Sequence, residues 1–268
     1  MSTYKTEGII IRRNNFGESS LILNIYTKDY GKIEAVARSA RKAKGKLKGH
    51  LELFLHTDLI LANGRNIDTI TSSMTTEPFF NLRKDLKLLF SAHFIVELAD
   101  KITEERYKDS RIFNLLGRIF YFFDGLGKED RKKGYDLKLK LAILLYQIHI
   151  ADLSGFSSHL DKCVFCSKKI TPNDNYFSFS FGGILDSGCA SHDPEAILIG
   201  DNSIKLLRFF QFRQRSVEEY DMHLNKCFEN LKKLKIDEKS VSKAIFLMNR
   251  FIEFNIDRKI KSIDFIYK

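Results

Sequence analysis

The sequence lacks the features of a membrane or secreted protein. A transmembrane helix needs about 20 consecutive apolar residues, and no apolar run in this chain approaches that length. The stretch from Met1 to Arg13 contains a short apolar core, Gly8 to Ile11, followed by two arginines, which is not the pattern of a signal peptide. Four cysteines in 268 residues do not indicate a disulfide framework. We therefore expect a cytoplasmic protein.

Motifs of several common enzyme classes are also missing. The sequence has no Walker-type phosphate loop, no Gly-x-Ser-x-Gly elbow and no zinc-deaminase His-x-Glu with Pro-Cys-x-x-Cys. Its carboxylates are scattered, without a cluster suited to two-metal nuclease chemistry. A ligase would need Lys-x-Asp-Gly, but the single Asp-Gly pair, Asp124-Gly125, has no such lysine before it. We predict that the protein is not an enzyme.

An excess of positive charge is the first positive indication of function. Lys and Arg number 44 against 34 Asp and Glu, which gives a formal net charge of +10. Hydrophobic residues make up 44% of the chain, and that share excludes wholesale disorder. The charge points to a polyanionic partner, although a uniformly solvated lysine-rich surface would give the same total.

The N-terminal segment, 1–80, has the pattern of a small β-barrel. In one part of it Leu21, Leu23 and Ile25 alternate with residues of the opposite face, a period close to two. Gly31 and Gly64 lie in predicted turns. Five short strands without a long helix favour an OB-fold or SH3-like barrel. The strands are predicted near residues 4–12, 19–28, 31–38, 51–62 and 66–76.

After Pro78 the hydrophobic period becomes helical, so residues 81–268 are predicted to form a mainly α-helical domain. A segment rich in Gly, Ser, Cys and aromatics interrupts it, and the tail 260–267 has a weak strand-like alternation. The expected fold class is therefore α+β and multidomain. Helices are predicted at about 83–105, 109–124, 135–154, 202–213, 216–232 and 238–256.

Three of the four cysteines form a spacing pattern typical of a metal site. Cys163-x-x-Cys166 is followed, beyond a connector at 167–188, by Cys189-x-x-His192. Two such pairs joined by a connector are typical of a zinc ribbon or knuckle, in which four filled positions make the ion structural. A redox pair and plain buried thiols are the alternatives, and His159 rivals His192 as the fourth ligand. Cys227 lies in a helical stretch and is interpreted as a core residue.

A basic loop lies between the third and fourth predicted strands. Residues 38–49 hold six cations and no acid, with small residues between them. Such a loop suits contacts with phosphates, although a solvated charge run is the alternative. The candidate nucleic-acid-binding residues are the loop cations together with two arginines of the first strand: Arg12, Arg13, Arg38, Arg41, Lys42, Lys44, Lys46 and Lys48.

Several short motifs occur in a fixed order along the chain: Gly17-Glu18-Ser19, Thr27 with Gly31-Lys32, residues 37–41, Leu51 to Phe54, and Leu153 to Cys166. Together, in this order, they resemble the RecO family of bacterial recombination mediators, and the resemblance runs through the whole chain. The resemblance implies an N-terminal OB-fold, a central helical domain and an inserted zinc-finger-like segment, here 157–197. Zinc-bearing relatives usually have a fourth Cys where this chain has His192.

The resemblance also implies a function. It implies binding of single- and double-stranded DNA, annealing of complementary strands, and cooperation with RecR to load RecA, in association with the nucleoid. It further implies binding of the acidic C-terminal tail of single-stranded DNA-binding protein (SSB), for which Lys205, Arg208 and Phe209 are the candidates. Two rivals remain: an OB-fold factor that binds structured RNA, and a zinc-containing DNA-processing enzyme.

Overall fold

The computed structural model describes residues 2–42, 45, 47, 49–129, 134–212, 216–231 and 233–266. The chain forms two compact units, Met1–Asp130 with Asp264–Lys268, and Arg131–Ile263. Among the described helices, none combines the length and the hydrophobicity that a membrane span requires.

The N-terminal unit begins with a closed five-stranded barrel. The strands are β1 Thr3–Phe16, β2 Ser20–Thr27, β3 Gly31–Ala37, β4 His56–Ala62 and β5 Asp68–Glu77. Strand β1 pairs with both β2 and β4, which closes the barrel, and β3 pairs with β5 in parallel. The resulting order, β1-β2-β3-β5-β4, is that of the predicted OB-fold.

The barrel core follows the alternation seen in the sequence. Leu21, Leu23 and Ile25 of β2 all lie in the buried core cluster, as the period of two predicts. The turn between β2 and β3 ends at Gly31, whose φ is +67°. A Cβ there would lie 2.1 Å from the carbonyl oxygen of Tyr107, so both the backbone conformation and the close approach require glycine.

The segment before β4 differs from the prediction. Residues 51–55 are not part of the strand, because Phe54 adopts a φ of +69°, which interrupts the extended chain. The N–H of Phe54 donates to the carbonyl of Ile10 at 2.9 Å, and the N–H of Ile10 donates to that of Leu55 at 3.1 Å. The bend lets Leu51 and Leu55 pack in the barrel core.

The single helix predicted at 83–105 is two helices, α1 Phe80–Lys84 and α2 Leu86–Ile102. Asp85 separates them with extended dihedrals and caps α2, because its carboxylate accepts the N–H groups of Lys87 and Leu88. Asp124 accepts the N–H groups of Asn81 and Leu82, at 2.8 and 3.2 Å, and so stabilises the start of α1.

The third helix, α3 Ser110–Lys128, extends beyond the predicted end at 124 and includes Gly125 and Gly127. A Cβ at Gly127 would lie 2.8 Å from the carbonyl oxygen of Asn81 in α1. Gly127 therefore allows close packing of two helices, and the predicted end at 124 is wrong. The predicted domain boundary at 80 stays a prediction: the barrel ends at Glu77, but α1 to α3 belong to the same compact unit.

The second unit is mainly helical and contains a small antiparallel sheet. Its elements are α4 Tyr135–Leu153, β6 Asn175–Ser178, β7 Gly183–Leu185, β8 Ile197–Ile199, α5 Asp201–Phe210, α6 Val217–Leu231 and α7 Glu238–Ile256. The order of the strands in the sheet is β7-β6-β8. Helix α4 is buried on nearly all sides, as its continuous hydrophobicity predicts. The described part of the tail, 260–266, does not form a strand, since Lys261–Phe265 is a 3₁₀ helix.

Candidate metal centre and nucleic-acid interface

Two tight turns of the segment between α4 and α5 are held side by side by backbone hydrogen bonds. In the first turn, the N–H of Cys163 donates to the carbonyl of Lys168 at 2.8 Å. In the second, the N–H of Cys189 donates to a carboxylate oxygen of Asp186 at 3.0 Å. The N–H of Val164 bonds to the carbonyl of Ile184 in β7 at 2.9 Å, which joins the two turns.

The turns bring together three cysteines and one aspartate. One ligand atom each of Cys163, Cys166, Asp186 and Cys189 lies within 4.8 Å of all the others. The thiol of Cys166 donates to Oδ2 of Asp186 at 3.0 Å. Three sulfur donors and a carboxylate oxygen in this arrangement can hold a metal ion, and the donor set fits a tetrahedral site.

Neither predicted histidine belongs to this set of four. The ring of His192 stacks on Phe165, with centroids 3.7 Å apart and planes 15° from parallel. The backbone of His159 pairs with Gly182 and Ile184. The fourth position held by His192 stays a prediction, while the geometry favours Asp186. The sequence signal for Asp186 is its spacing, since Asp186-x-x-Cys189 repeats the interval of Cys163-x-x-Cys166.

The neighbouring groups shift the pKa values of the cluster in different directions. Burial raises the pKa of Cys163, but hydrogen bonds from backbone groups of Cys166, Asp186 and Phe165 outweigh it and leave that pKa below its ordinary value. Burial and the neighbouring Cys166 raise the pKa of Cys189 to about 12. The hydrogen bond from Cys166 lowers the pKa of Asp186. If a metal ion binds here, the thiols must lose their protons, so binding would weaken at low pH.

The described part of the basic loop presents its cations to solvent. Arg38, Arg41 and Lys42 are exposed, while Ala40 between them is buried in the barrel core. Within the described ranges, no ion pair joins any of these three cations to an acidic side chain. Three further predicted contacts lie outside the described residues: Lys44, Lys46 and Lys48.

The basic loop adjoins the loop between β1 and β2. The N–H of Arg41 donates to the carbonyl of Ser19 at 2.9 Å, and its guanidinium lies 3.4 Å from the carbonyl of Gly17. Phe16, at the end of β1, is 53% exposed. In OB-folds this loop is one of those that contact oligonucleotides, where cations hold phosphates and aromatic rings stack with bases.

The two predicted arginines of β1 have acidic neighbours. Arg12 lies 3.4 Å from Asp100, and Arg13 lies 3.3 Å from Glu52. Asp100 also receives a hydrogen bond from Asn24 at 2.8 Å. Since a phosphate would have to compete with these carboxylates, Arg12 and Arg13 offer less free positive charge than the basic loop does.

The second oligonucleotide-binding loop of an OB-fold, between β4 and β5, is anchored here by Asp68. Its carboxylate accepts hydrogen bonds from the hydroxyl of Tyr4 at 2.6 Å, the N–H of Gly64 at 3.0 Å and the guanidinium of Arg106 at 2.8 Å. Burial raises the pKa of Asp68, but these hydrogen bonds outweigh it and hold the pKa below its ordinary value.

We expect Asp68→Asn to lower the free energy of unfolding by about 1–3 kcal/mol, because it leaves partly buried partners of the carboxylate unsatisfied. The stabilisation should be present above about pH 4, and it should be lost as the pH falls through the lowered pKa of the folded state. Urea unfolding at pH 7 and at pH 3 measures both effects. Asp58→Asn, at an exposed position of β4, is the matched control; an equal loss there would contradict the prediction.

The predicted SSB-tail residues lie on α5 but differ in availability. Lys205 is exposed, and Phe209 is 39% exposed with its ring 5.3 Å from that of Phe210. Arg208, in contrast, donates two hydrogen bonds to the carbonyl of Leu160, at 3.0 and 2.5 Å. Its guanidinium therefore holds α5 to the segment that leads into the cysteine cluster.

The chain combines a closed five-stranded OB-fold barrel that carries exposed cations with a helical unit that contains a cysteine cluster, and the OB-fold is an architecture that many nucleic-acid-binding proteins share. The family model "Recombination protein O N terminal" matches residues 1–79, and "Recombination protein O C terminal" matches residues 83–264. The chain belongs to the RecO family of DNA repair proteins.

Curated relatives agree with the family models. A "DNA repair protein RecO" of Dehalococcoides mccartyi is 32% identical over 97% of this chain and 93% of its own length. Proteins of the same name from Alkaliphilus metalliredigens and a Roseiflexus species are 30% and 36% identical, over 95% and 78% of this chain and 94% and 70% of their own lengths.

Proposed function

We propose that this protein is a non-catalytic recombination mediator, which binds single- and double-stranded DNA and anneals complementary strands. The observation that carries the proposal is the set of exposed cations Arg38, Arg41 and Lys42 beside the β1–β2 loop of an OB-fold. Membership of a DNA repair family makes DNA the polyanion that these cations would meet.

The proposed mechanism needs no bond to be made or broken. Cations of the basic loop neutralise phosphates of one strand, and counterions are released. Neutralised backbones repel each other less, so a complementary strand can approach closely enough for base pairing. Because phosphate contacts carry no base information, annealing should be independent of sequence.

The partners in this proposal are RecR, RecA and SSB. Together with RecR, the protein would act on SSB-coated DNA so that RecA can be loaded. It would therefore be associated with the nucleoid. For the acidic SSB tail we propose the exposed face of α5, where Lys205 supplies a cation and Phe209 an apolar surface. Arg208 contributes less, because its guanidinium is already bonded to Leu160.

For the cysteine cluster we propose one structural Zn²⁺, held by Cys163, Cys166, Cys189 and Asp186. Three thiolates and one carboxylate fill all four tetrahedral positions, so no position is left open for a catalytic water. The ion would hold the two turns together. It would thereby stabilise the fold of a segment whose strands are only three or four residues long.

Comparing matched single-stranded DNA and RNA tests the nature of the polyanion. We expect the DNA oligonucleotide to bind at least as tightly as the RNA of the same sequence, at the same salt concentration. Fluorescence anisotropy gives both dissociation constants. A preference for RNA of tenfold or more would overturn the proposal and favour an OB-fold RNA-binding factor.

A further inference from the structure

A second group of metal-ligating side chains lies in the helical unit, apart from the cysteine cluster. His223 and Cys227 are four residues apart on α6, which places them one turn apart on the same face of the helix. His149 on α4 completes the group. One ligand atom of each residue lies within 4.8 Å of the other two.

The side chains of His223 and Cys227 on α6 are separated by the distance expected for two ligands of one metal ion. Sγ of Cys227 lies 3.4 Å from Nε2 of His223. Bonds of about 2.3 Å to sulfur and 2.0–2.1 Å to nitrogen, at a tetrahedral angle, place such ligand atoms about 3.5 Å apart. Nε2 of His223 also lies 3.3 Å from the carbonyl oxygen of Phe210, a contact that it would exchange for the ion. The same sulfur–nitrogen distance also suits a weak hydrogen bond from the thiol to the imidazole. A metal site therefore needs an observation beyond this pair of side chains.

His149 supplies the independent observation. It is fully buried, and its Nε2 makes no hydrogen bond of good geometry among the described residues, although the backbone of Phe210 lies near the ring. An unpaired buried nitrogen is unfavourable and rare in folded proteins. Its imidazole faces that of His223, with ring centroids 5.4 Å apart. A ligand that accepts an imidazole lone pair would satisfy this nitrogen.

Tyr220 gives His149 the orientation of a metal ligand. Nδ1 of His149 lies 3.3 Å from the hydroxyl of Tyr220. When Nδ1 carries the proton and donates to this hydroxyl, the lone pair of Nε2 is free, which is how ligating histidines are commonly held. Tyr220 is itself fully buried, so the orientation is fixed by packing.

We propose that His149, His223 and Cys227 form a second metal site, which takes Zn²⁺ through two imidazole nitrogens and one thiolate. Both ligand types suit a borderline-soft ion of this kind. His223 is half-buried, so its side of the group gives an ion and a fourth ligand, water, a way in. An ion here would join α4 to α6, two helices that lie far apart in the sequence.

The test is the zinc content of protein that has been stripped of metal, reloaded with Zn²⁺ under reducing conditions and freed of excess ion. We expect about 2 zinc per chain in the wild type and about 1 in His223→Gln. His50→Gln, at a half-buried histidine of the other unit, is the matched control and should keep about 2. His223 is used because a half-buried position tolerates substitution better than His149 does.

Spectroscopy with Co²⁺ in place of Zn²⁺ provides a second readout. The cluster at Cys163 should give a cobalt–thiolate absorption from three sulfurs, and the proposed site should add an absorption from one. Cys227→Ser should remove that added part and leave the rest unchanged. About 1 zinc per chain in the wild type, with no change in His223→Gln, would overturn the proposal and identify the group as a hydrogen-bonded core cluster.

Discussion

Replacing Arg38, Arg41 and Lys42 together by glutamine is expected to weaken single-stranded DNA binding on the order of 100-fold at 0.1 M salt. Each phosphate contact contributes about 0.7 to the slope of log K against log salt concentration, so the slope should flatten by about 2. The binding constant should fall equally for all sequences, because phosphates carry no base information.

Arg38, Arg41 and Lys42 are the most informative positions for this test, because they are exposed and no acidic side chain of the described residues competes with a phosphate for them. Each cation is exposed, and the described residues hold no ion pair with any of them. Arg12 and Arg13 face Asp100 and Glu52, so their replacement should have a smaller effect on the slope.

The matched control removes the same charge from the other unit, through Lys233→Gln, Lys235→Gln and Lys239→Gln at exposed positions. Its salt slope should stay close to that of the wild type. Neither triple variant should change the free energy of unfolding much, because exposed charges contribute little to stability. Equal slopes for the two triple variants would show that the basic loop is a solvated surface.

Replacing the proposed metal ligands Cys163 and Cys189 together with serine is expected to unfold the segment between α4 and α5. Structural zinc in small domains supplies about 10–16 kcal/mol of apparent binding free energy, which short strands cannot replace. We expect the loss of one zinc per chain and rapid protease cleavage within this segment. Metal analysis and limited proteolysis measure the two effects.

Within that experiment, two single variants distinguish the candidates for the fourth ligand. Asp186→Ala should weaken zinc binding more than His192→Ala, because Asp186 lies within ligand distance of the cysteines while His192 stacks on Phe165. Single-stranded DNA binding by the barrel should persist in both. The opposite order of zinc affinities would return the fourth position to His192, and an unchanged proteolysis pattern in the double serine variant would contradict a structural metal.

The barrel could be predicted from the sequence because its signals are local. Leu21, Leu23 and Ile25 alternate within one strand, and their common burial follows from the pleat alone. The bend at Phe54 could not be predicted in this way. A buried phenylalanine at positive φ depends on hydrogen bonds to Ile10 of β1, which is distant from it in the sequence.

The role of Gly127 could not be predicted from the local sequence pattern. Gly127 looks like a helix stop, yet it lies inside α3 because α1 packs against it. The cysteine spacing predicts a metal site with His192 as its fourth ligand, and that ligand stays a prediction. The proximity of Asp186 to the cysteines could not be predicted from spacing alone, because it depends on how the turn at Cys163 lies beside β7, where Val164 bonds to Ile184.

The central claim is that this protein anneals DNA through the basic loop of its OB-fold without catalysing a reaction. The most direct test is the annealing rate of complementary strands coated with SSB, measured by fluorescence quenching in the absence of any nucleotide. We predict rapid annealing by the wild type, a severe loss in the variant with glutamine at Arg38, Arg41 and Lys42, and slower annealing when SSB lacks its acidic tail. Annealing at the wild-type rate by the triple variant would contradict the account.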